Sequence, residues 1–89
     1  MAQITFTGNV QRHLKCPTAV IEGDTVAQVL EAYFFEHPRA RGYVLDDQGA
    51  VRKHILVMLD GIPIRDRQRL SDPATSHSEI YVLQALSGG

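Results

Sequence analysis

Only one cysteine, Cys16, occurs in the 89-residue chain, so an internal disulfide is excluded and a reducing compartment suits the protein. No apolar run approaches the roughly 20 residues needed to cross a bilayer. The opening MAQITFTG has neither the basic stretch, the long apolar run nor the small-residue cleavage site of a signal peptide. The expectation is a cytoplasmic protein with no membrane partner. Excess charge is missing too: the formal net charge is −1 with the signs interspersed, which removes the electrostatic reason to expect nucleic acid or an anionic surface as partner. No Walker or dinucleotide glycine motif occurs, so the chain has no nucleotide-binding loop of its own. The histidines His13, His37, His54 and His77 form no i, i+4 pair or Cys/His cluster, and no metal site is expected. Asp46-Asp47-Gln48-Gly49 opens like a calcium loop, but Val57 stands where the bidentate glutamate must fall, leaving an ordinary turn. Repeats and low-complexity segments are absent as well.

What is present reads as one small globular domain. Apolar residues at 44% and charged residues at 21% match ordinary globular usage, and a chain of this length buries roughly 60% of its unfolded surface in a single core. QITFTG alternates, with Ile4 and Phe6 on one side and Gln3, Thr5 and Thr7 on the other, the pattern of a strand with one buried face. LKCPTAVIEG is a weaker strand that Pro17 confines to an edge or to the far side of a bend. A helix over about 25–37 follows. Thr25 and Gln28 form a capping box, Asp24 adds negative charge at the positive end of the dipole, and Pro38 stops the helix. Val26, Val29, Leu30, Tyr33 and Phe34 make its single apolar stripe. GYVLDDQGAVRK predicts a short extended piece, a turn at 46–49 and a return. HILVMLDGIPIRD predicts a hairpin about Asp60-Gly61, RDRQRLSDPATSHS a loop with one helical turn, and EIYVLQAL a closing strand. One helix can cover one face of one mixed sheet of four or five strands, a two-layer α+β domain.

A sheet covered on one side should alternate apolar and polar residues, and the last two main strands do not. With Ile55, Val57 and Leu59 facing the helix, Leu56 and Met58 face away; with Ile80 and Val82 inward, Tyr81 and Leu83 face away. These four residues predict an apolar patch that docks a partner. Other candidate groups read as incidental. Cys16 beside Lys15 has no assignable orienting histidine and is taken as a non-catalytic thiol. Arg65, Arg67 and Arg69, interspersed with Asp66 and Asp72, are taken as a solvated face.

The chain closes on QALSGG, residues 84–89, directly after the last strand. Strand, strand, helix and further strands ending in a free Gly-Gly resemble the β-grasp fold of ubiquitin-like proteins. Within that fold the chain is most similar to the small sulfur carriers of the MoaD/ThiS type, including those serving cysteine biosynthesis. The likeness runs from GDTVAQVLEAY through VRKHILVMLDGIPIRD to EIYVLQALSGG. Asp60-Gly61 occupies the family's Asn-Gly-type turn. His77-Ser78 stands where Gly-Asp is common, and Gln84 where the tail often carries proline. The resemblance implies a β-grasp domain over 1–86 and a flexible Ser-Gly-Gly tail over 87–89.

The terminal chemistry follows from the residues. An α-carboxylate at Gly89 is ionised at neutral pH, with an unperturbed pKa of roughly 3.5, and is a poor electrophile. Attack on the α-phosphate of ATP converts it to an acyl-adenylate, from which a sulfur nucleophile displaces AMP to leave a thiocarboxylate. Gly88 and Gly89 lack Cβ atoms and can thread a narrow channel, with Leu86 and Ser87 leading into it. The resemblance implies that a ubiquitin-activating-type adenylating enzyme supplies ATP binding and catalysis, that a sulfur source is used there, and that a sulfur-accepting biosynthetic enzyme is the second partner. The chain itself is expected to be a monomer with no catalytic residue and no bound cofactor. Ordering four tail residues costs on the order of 4–8 kcal/mol, whereas burying Leu56, Met58, Tyr81 and Leu83 returns up to roughly 1.5–3 kcal/mol each. The same activated end would also serve a modifier conjugated to lysines through Gly89; only Lys15 and Lys53 are available for self-linked chains.

Overall fold

In the computed structural model, which describes residues 2–7 and 17–84, the alternating opening segment forms strand β1 (Ala2–Phe6). Ala2, Ile4 and Phe6 are buried, whereas Gln3 is exposed. Strand β2 (Ala19–Ile21) pairs antiparallel with β1 at the sheet edge, Pro17 lying before it; a residue without an N–H is tolerated there. Strands β3 (Ile55–Leu59) and β4 (Ile62–Pro63) are joined by Asp60-Gly61. The two loop residues have φ of 52° and 84°, the left-handed pair that a two-residue hairpin turn requires and that Asp-Gly adopts at low cost. Strand β5 (Glu79–Gln84) completes the sheet in the order β2-β1-β5-β3-β4. Its pairing with β1 is parallel and the other pairings are antiparallel. The first and last strands of the chain thus lie side by side at the centre, giving the mixed α+β sheet that the sequence predicts.

Helix α1 (Val26–Glu36) covers one face and buries the whole expected stripe, Val26, Val29, Leu30, Tyr33 and Phe34. Thr25 caps it, its side chain accepting from the Gln28 amide at 3.1 Å. Gln28 reaches back in turn, but its Oε1 accepts from Asp24 (2.7 Å), one residue earlier than in a strict capping box. Two more first-turn amides find distant carbonyls: Val26 donates to Asp72 and Ala27 to Leu70, at 2.9 and 2.8 Å. The loop after β4 therefore satisfies donors that the helix leaves unpaired. Gly23 lets the chain enter this junction, since a Cβ there would lie 2.9 Å from Val29 Cγ2 and 3.1 Å from its backbone nitrogen. Tyr33 ties the layers together, its ring 4.9 Å from that of Phe6 and its hydroxyl donating to the Pro17 carbonyl at 2.7 Å.

The stretch after α1 departs from expectation. Pro38 ends α1, yet it also opens a second helix, α2 (Pro38–Val44), so 42–44 are helical and not extended. Proline at a first helical position needs no N–H and brings a preset φ, and Ala40 and Val44, four residues apart, both bury in the core. The expected turn and return survive as one bridge, Leu45 to Val51. Between them Asp46 Oδ1 accepts from the Gln48 and Ala50 amides, and Gly49 has φ of 82°.

Arg67 corrects the reading of residues 65–69 as a solvated face. Its guanidinium donates to the Arg52 and Ile55 carbonyls at 2.8 and 2.7 Å, pinning the entry to β3, while Arg65 and Arg69 are exposed. The helical turn expected here is closed by the Leu70 amide donating to Asp66 O at 2.8 Å. The Asp66 carboxylate caps the turn, accepting from Ser71 Oγ and from the Arg69 and Gln68 amides. The Ser71 hydroxyl first, and then the Arg69 amide, hold its pKa below the usual carboxylate value. Before β5, His77-Ser78 needs no left-handed residue. Buried Ser78 accepts from the Thr75 amide through Oγ and donates its own amide to the Thr75 carbonyl, so hydroxyl bonds close the turn.

Candidate functional site

Strands β3 and β5 run antiparallel with Leu56 opposite Leu83 and Met58 opposite Tyr81, while Val57 faces Val82 and Leu59 faces Ile80. Side chains alternate across a strand, so the second set lies on the helix side and the first on the open side. Ile55, Val57, Ile80 and Val82 are buried; Leu56, Met58 and Leu83 are half-buried, and Tyr81 is 39% exposed. The structure thus brings together all four residues that the broken alternation singled out. On the same face β1 offers Gln3 and Thr5, opposite Glu79 and Tyr81, so polar side chains separate the β3–β5 patch from the exposed Val20 of β2, which lies opposite Gln3.

Met58, Tyr81 and Leu83 also line a shallow concavity of about 630 Å³ together with Thr7, Asp60, Gly61 and Glu79. Leu56 lies beside Met58 along β3 but outside that lining. Periodicity finds apolar positions and is silent on the polar rim, so Thr7, Asp60 and Glu79 were missed. The one available signal was the Asp-Gly turn, which predicts a hairpin but not which strand lies next to it. The structure puts Asp60 beside the start of β5: its Oδ1 accepts from the Glu79 amide at 2.8 Å, and its own amide donates to the Glu79 carbonyl at 2.9 Å.

At the other end of β5, Gln84 pairs with Ile55, and its side-chain oxygen accepts from the Tyr43 hydroxyl at 3.1 Å. Tyr43 lies in α2, its ring edge-on to His54 at 6.4 Å. The helix that the sequence pattern missed therefore anchors the strand leading to the glycine pair. Leu86, Ser87, Gly88 and Gly89, and likewise Cys16, lie outside the described residues. Among the described residues no three His, Cys, Asp or Glu side chains gather as a metal site requires, and no helix is long and apolar enough to cross a membrane.

No protein-family model matches the chain, and no curated protein sequence matches it. Solved structures do. SAMP1 from Haloferax volcanii is similar over 99% of this chain and 98% of its own, with a TM-score of 0.77 at 22% identity. The small archaeal modifier protein 1 of Methanosarcina acetivorans is similar over 99% and 95%, with a TM-score of 0.79 at 20% identity. A chain of the Amycolatopsis orientalis BexX/CysO complex is similar over 100% of both chains, with a TM-score of 0.82 at 14% identity. Full-length superposition at such identities is a likeness of backbone. With parallel β1 and β5 central and α1 packed across one face, the chain has the β-grasp fold of ubiquitin-like proteins.

Proposed function

We propose that the chain is a ubiquitin-like sulfur carrier whose Gly89 carboxylate is activated by an adenylating partner. The observation that carries this reading is the double use of β5, which supplies Tyr81 and Leu83 to the open apolar face and leads from Gln84 toward Leu86-Ser87-Gly88-Gly89. A partner seated on that face has the terminus within reach, because the five residues after Gln84 span at most roughly 17 Å. Its nucleotide pocket must then lie within that distance of the end of β5.

The reaction follows from the carboxylate. A Gly89 oxygen attacks the α-phosphorus of ATP and expels pyrophosphate, giving the acyl-adenylate. Hydrosulfide then attacks the acyl carbon, the acyl–phosphate bond breaks, AMP leaves, and the terminus becomes a thiocarboxylate. A sulfur-accepting biosynthetic enzyme in the cytoplasm takes the sulfur onward, and hydrolysis of the remaining acyl group restores the carboxylate. This chain provides no catalytic residue and no cofactor site; it provides the docking face of Leu56, Met58, Tyr81 and Leu83 and a side-chain-free end. Incubation with ATP, sulfide and a candidate activating enzyme, followed by intact-mass spectrometry, tests the reading. The expected result is exchange of one oxygen for sulfur, abolished by deleting Gly89. No mass change with an enzyme that activates other such carriers refutes it.

The likeness to proteins named small archaeal modifiers favours a second reading, in which target lysines attack the same adenylate-derived acyl group to form isopeptide bonds. Adducts at lysines in the same mass measurement would select it.

A further inference from the structure

The concavity beside the apolar face carries charge of one sign. Among the described residues its lining holds Asp60 and Glu79 and no lysine, arginine or histidine. The two reciprocal backbone and side-chain bonds between these residues hold both at one corner, and the left-handed turn at Asp60 leaves its position little freedom. Among the described residues neither carboxylate has an ion-pair partner. Lys53, the cation before β3, precedes Ile55, whereas Asp60 follows Leu59; five strand residues put roughly 17 Å between those ends, about two screening lengths at physiological salt. The floor against which the carboxylates sit is Met58, Leu83 and the exposed ring of Tyr81.

From this complementarity we infer that the concavity receives a protein partner presenting an apolar side chain flanked by arginine. The apolar group covers Met58 and Leu83, and the planar guanidinium lies against the Tyr81 ring while facing the two carboxylates, an arrangement that a lysine ammonium fills less well. The inference rests on the reading that the open sheet face is a docking surface, and it names the chemistry of what docks.

The test uses the intact isotopically labelled protein with N-acetyl-leucyl-arginine amide and its citrulline counterpart, a neutral near-isostere, followed by amide chemical shifts. The arginine peptide is expected to shift Asp60, Gly61, Glu79, Tyr81 and Leu83 and to bind roughly fivefold more tightly than the citrulline peptide at low salt. In the double variant Asp60→Asn, Glu79→Gln the preference should fall below about twofold, with the wild-type fold retained because asparagine keeps both the side-chain acceptor and tolerance of positive φ. Equal binding of the two peptides by the wild type, or shifts confined to other surfaces, would overturn the inference. Neither ATP nor an activating enzyme is present, so this result stands apart from that of the sulfur-transfer assay. A protein that discriminates arginine but is never adenylated keeps the surface and loses the carrier reading, and the converse result does the reverse.

Discussion

The two faces of the β3–β5 pair are built from the same kinds of residue and meet different fates. Ile55, Val57, Ile80 and Val82 are sealed under α1, while Leu56, Met58, Tyr81 and Leu83, one position along in each strand, remain open or half-open. β1 shows the usual solution, with Ile4 and Phe6 inward and Gln3 and Thr5 outward. A fold needs only the inward set. The outward apolar set lies beyond that need, and half of it, Tyr81 and Leu83, sits on the strand leading to the glycine pair.

Adjacent positions in β3 give the sharpest way to separate the faces. Val57→Asp places a carboxylate among fully buried apolar groups and should cost about 3–5 kcal/mol, enough to abolish cooperative unfolding in urea. Leu56→Asp, one residue away, should cost about 1 kcal/mol with an unchanged denaturant slope, yet abolish partner-dependent formation of the Gly89 thiocarboxylate. Equal losses of stability would break the comparison. A milder version uses truncation in β5: Ile80→Ala should lower stability by about 2–5 kcal/mol, and Tyr81→Ala by about 1 kcal/mol, with the larger loss of activation falling on Tyr81. Thermal unfolding alongside the mass assay reads both quantities.

Next in size is Arg67, whose two bonds to the Arg52 and Ile55 carbonyls hold the entry to β3. Arg67→Met should cost about 1–3 kcal/mol and increase amide exchange at the start of β3 while leaving activation within about twofold. The smallest effect concerns Asp66. Its carboxyl is held below its ordinary value near 3.8, chiefly by Ser71 Oγ. A depressed folded-state value means that its stabilisation is fully present above the ordinary value and is lost as pH falls through the lowered one. Acid titration should therefore loosen the 64–72 loop, and with it the Asp72 and Leu70 carbonyls that receive the first amides of α1, before it affects the open face. Asp66→Asn should flatten that acid limb, as measured by thermal unfolding against pH.

Much of the fold was legible because its signals are local. A capping pair at Thr25 and Gln28, a stripe from Val26 to Phe34, an Asp-Gly turn and alternating strands each depend on neighbours within a few residues. α2 was hidden because Pro38 has two opposite local meanings, the end of one helix and the first residue of another. Arg67 was hidden for a different reason: its partners lie 15 and 12 residues earlier, and nothing in an Arg-rich loop says which arginine turns inward. The open apolar residues could be found one strand at a time, but the acidic rim could not, since Asp60 and Glu79 meet across 19 residues.

Residue order alone settled α1, strands β1, β3 and β5, the hairpin turn and the surplus of apolar positions, because periodicity and turn chemistry act over one or two turns of chain. Only folding decided that β5 lies between β1 and β3, bringing Met58 to Tyr81 and Leu56 to Leu83 and seating both carboxylates at one corner. Strand partners are chosen by which distant apolar surfaces can be buried together, a long-range competition that no short window of sequence contains.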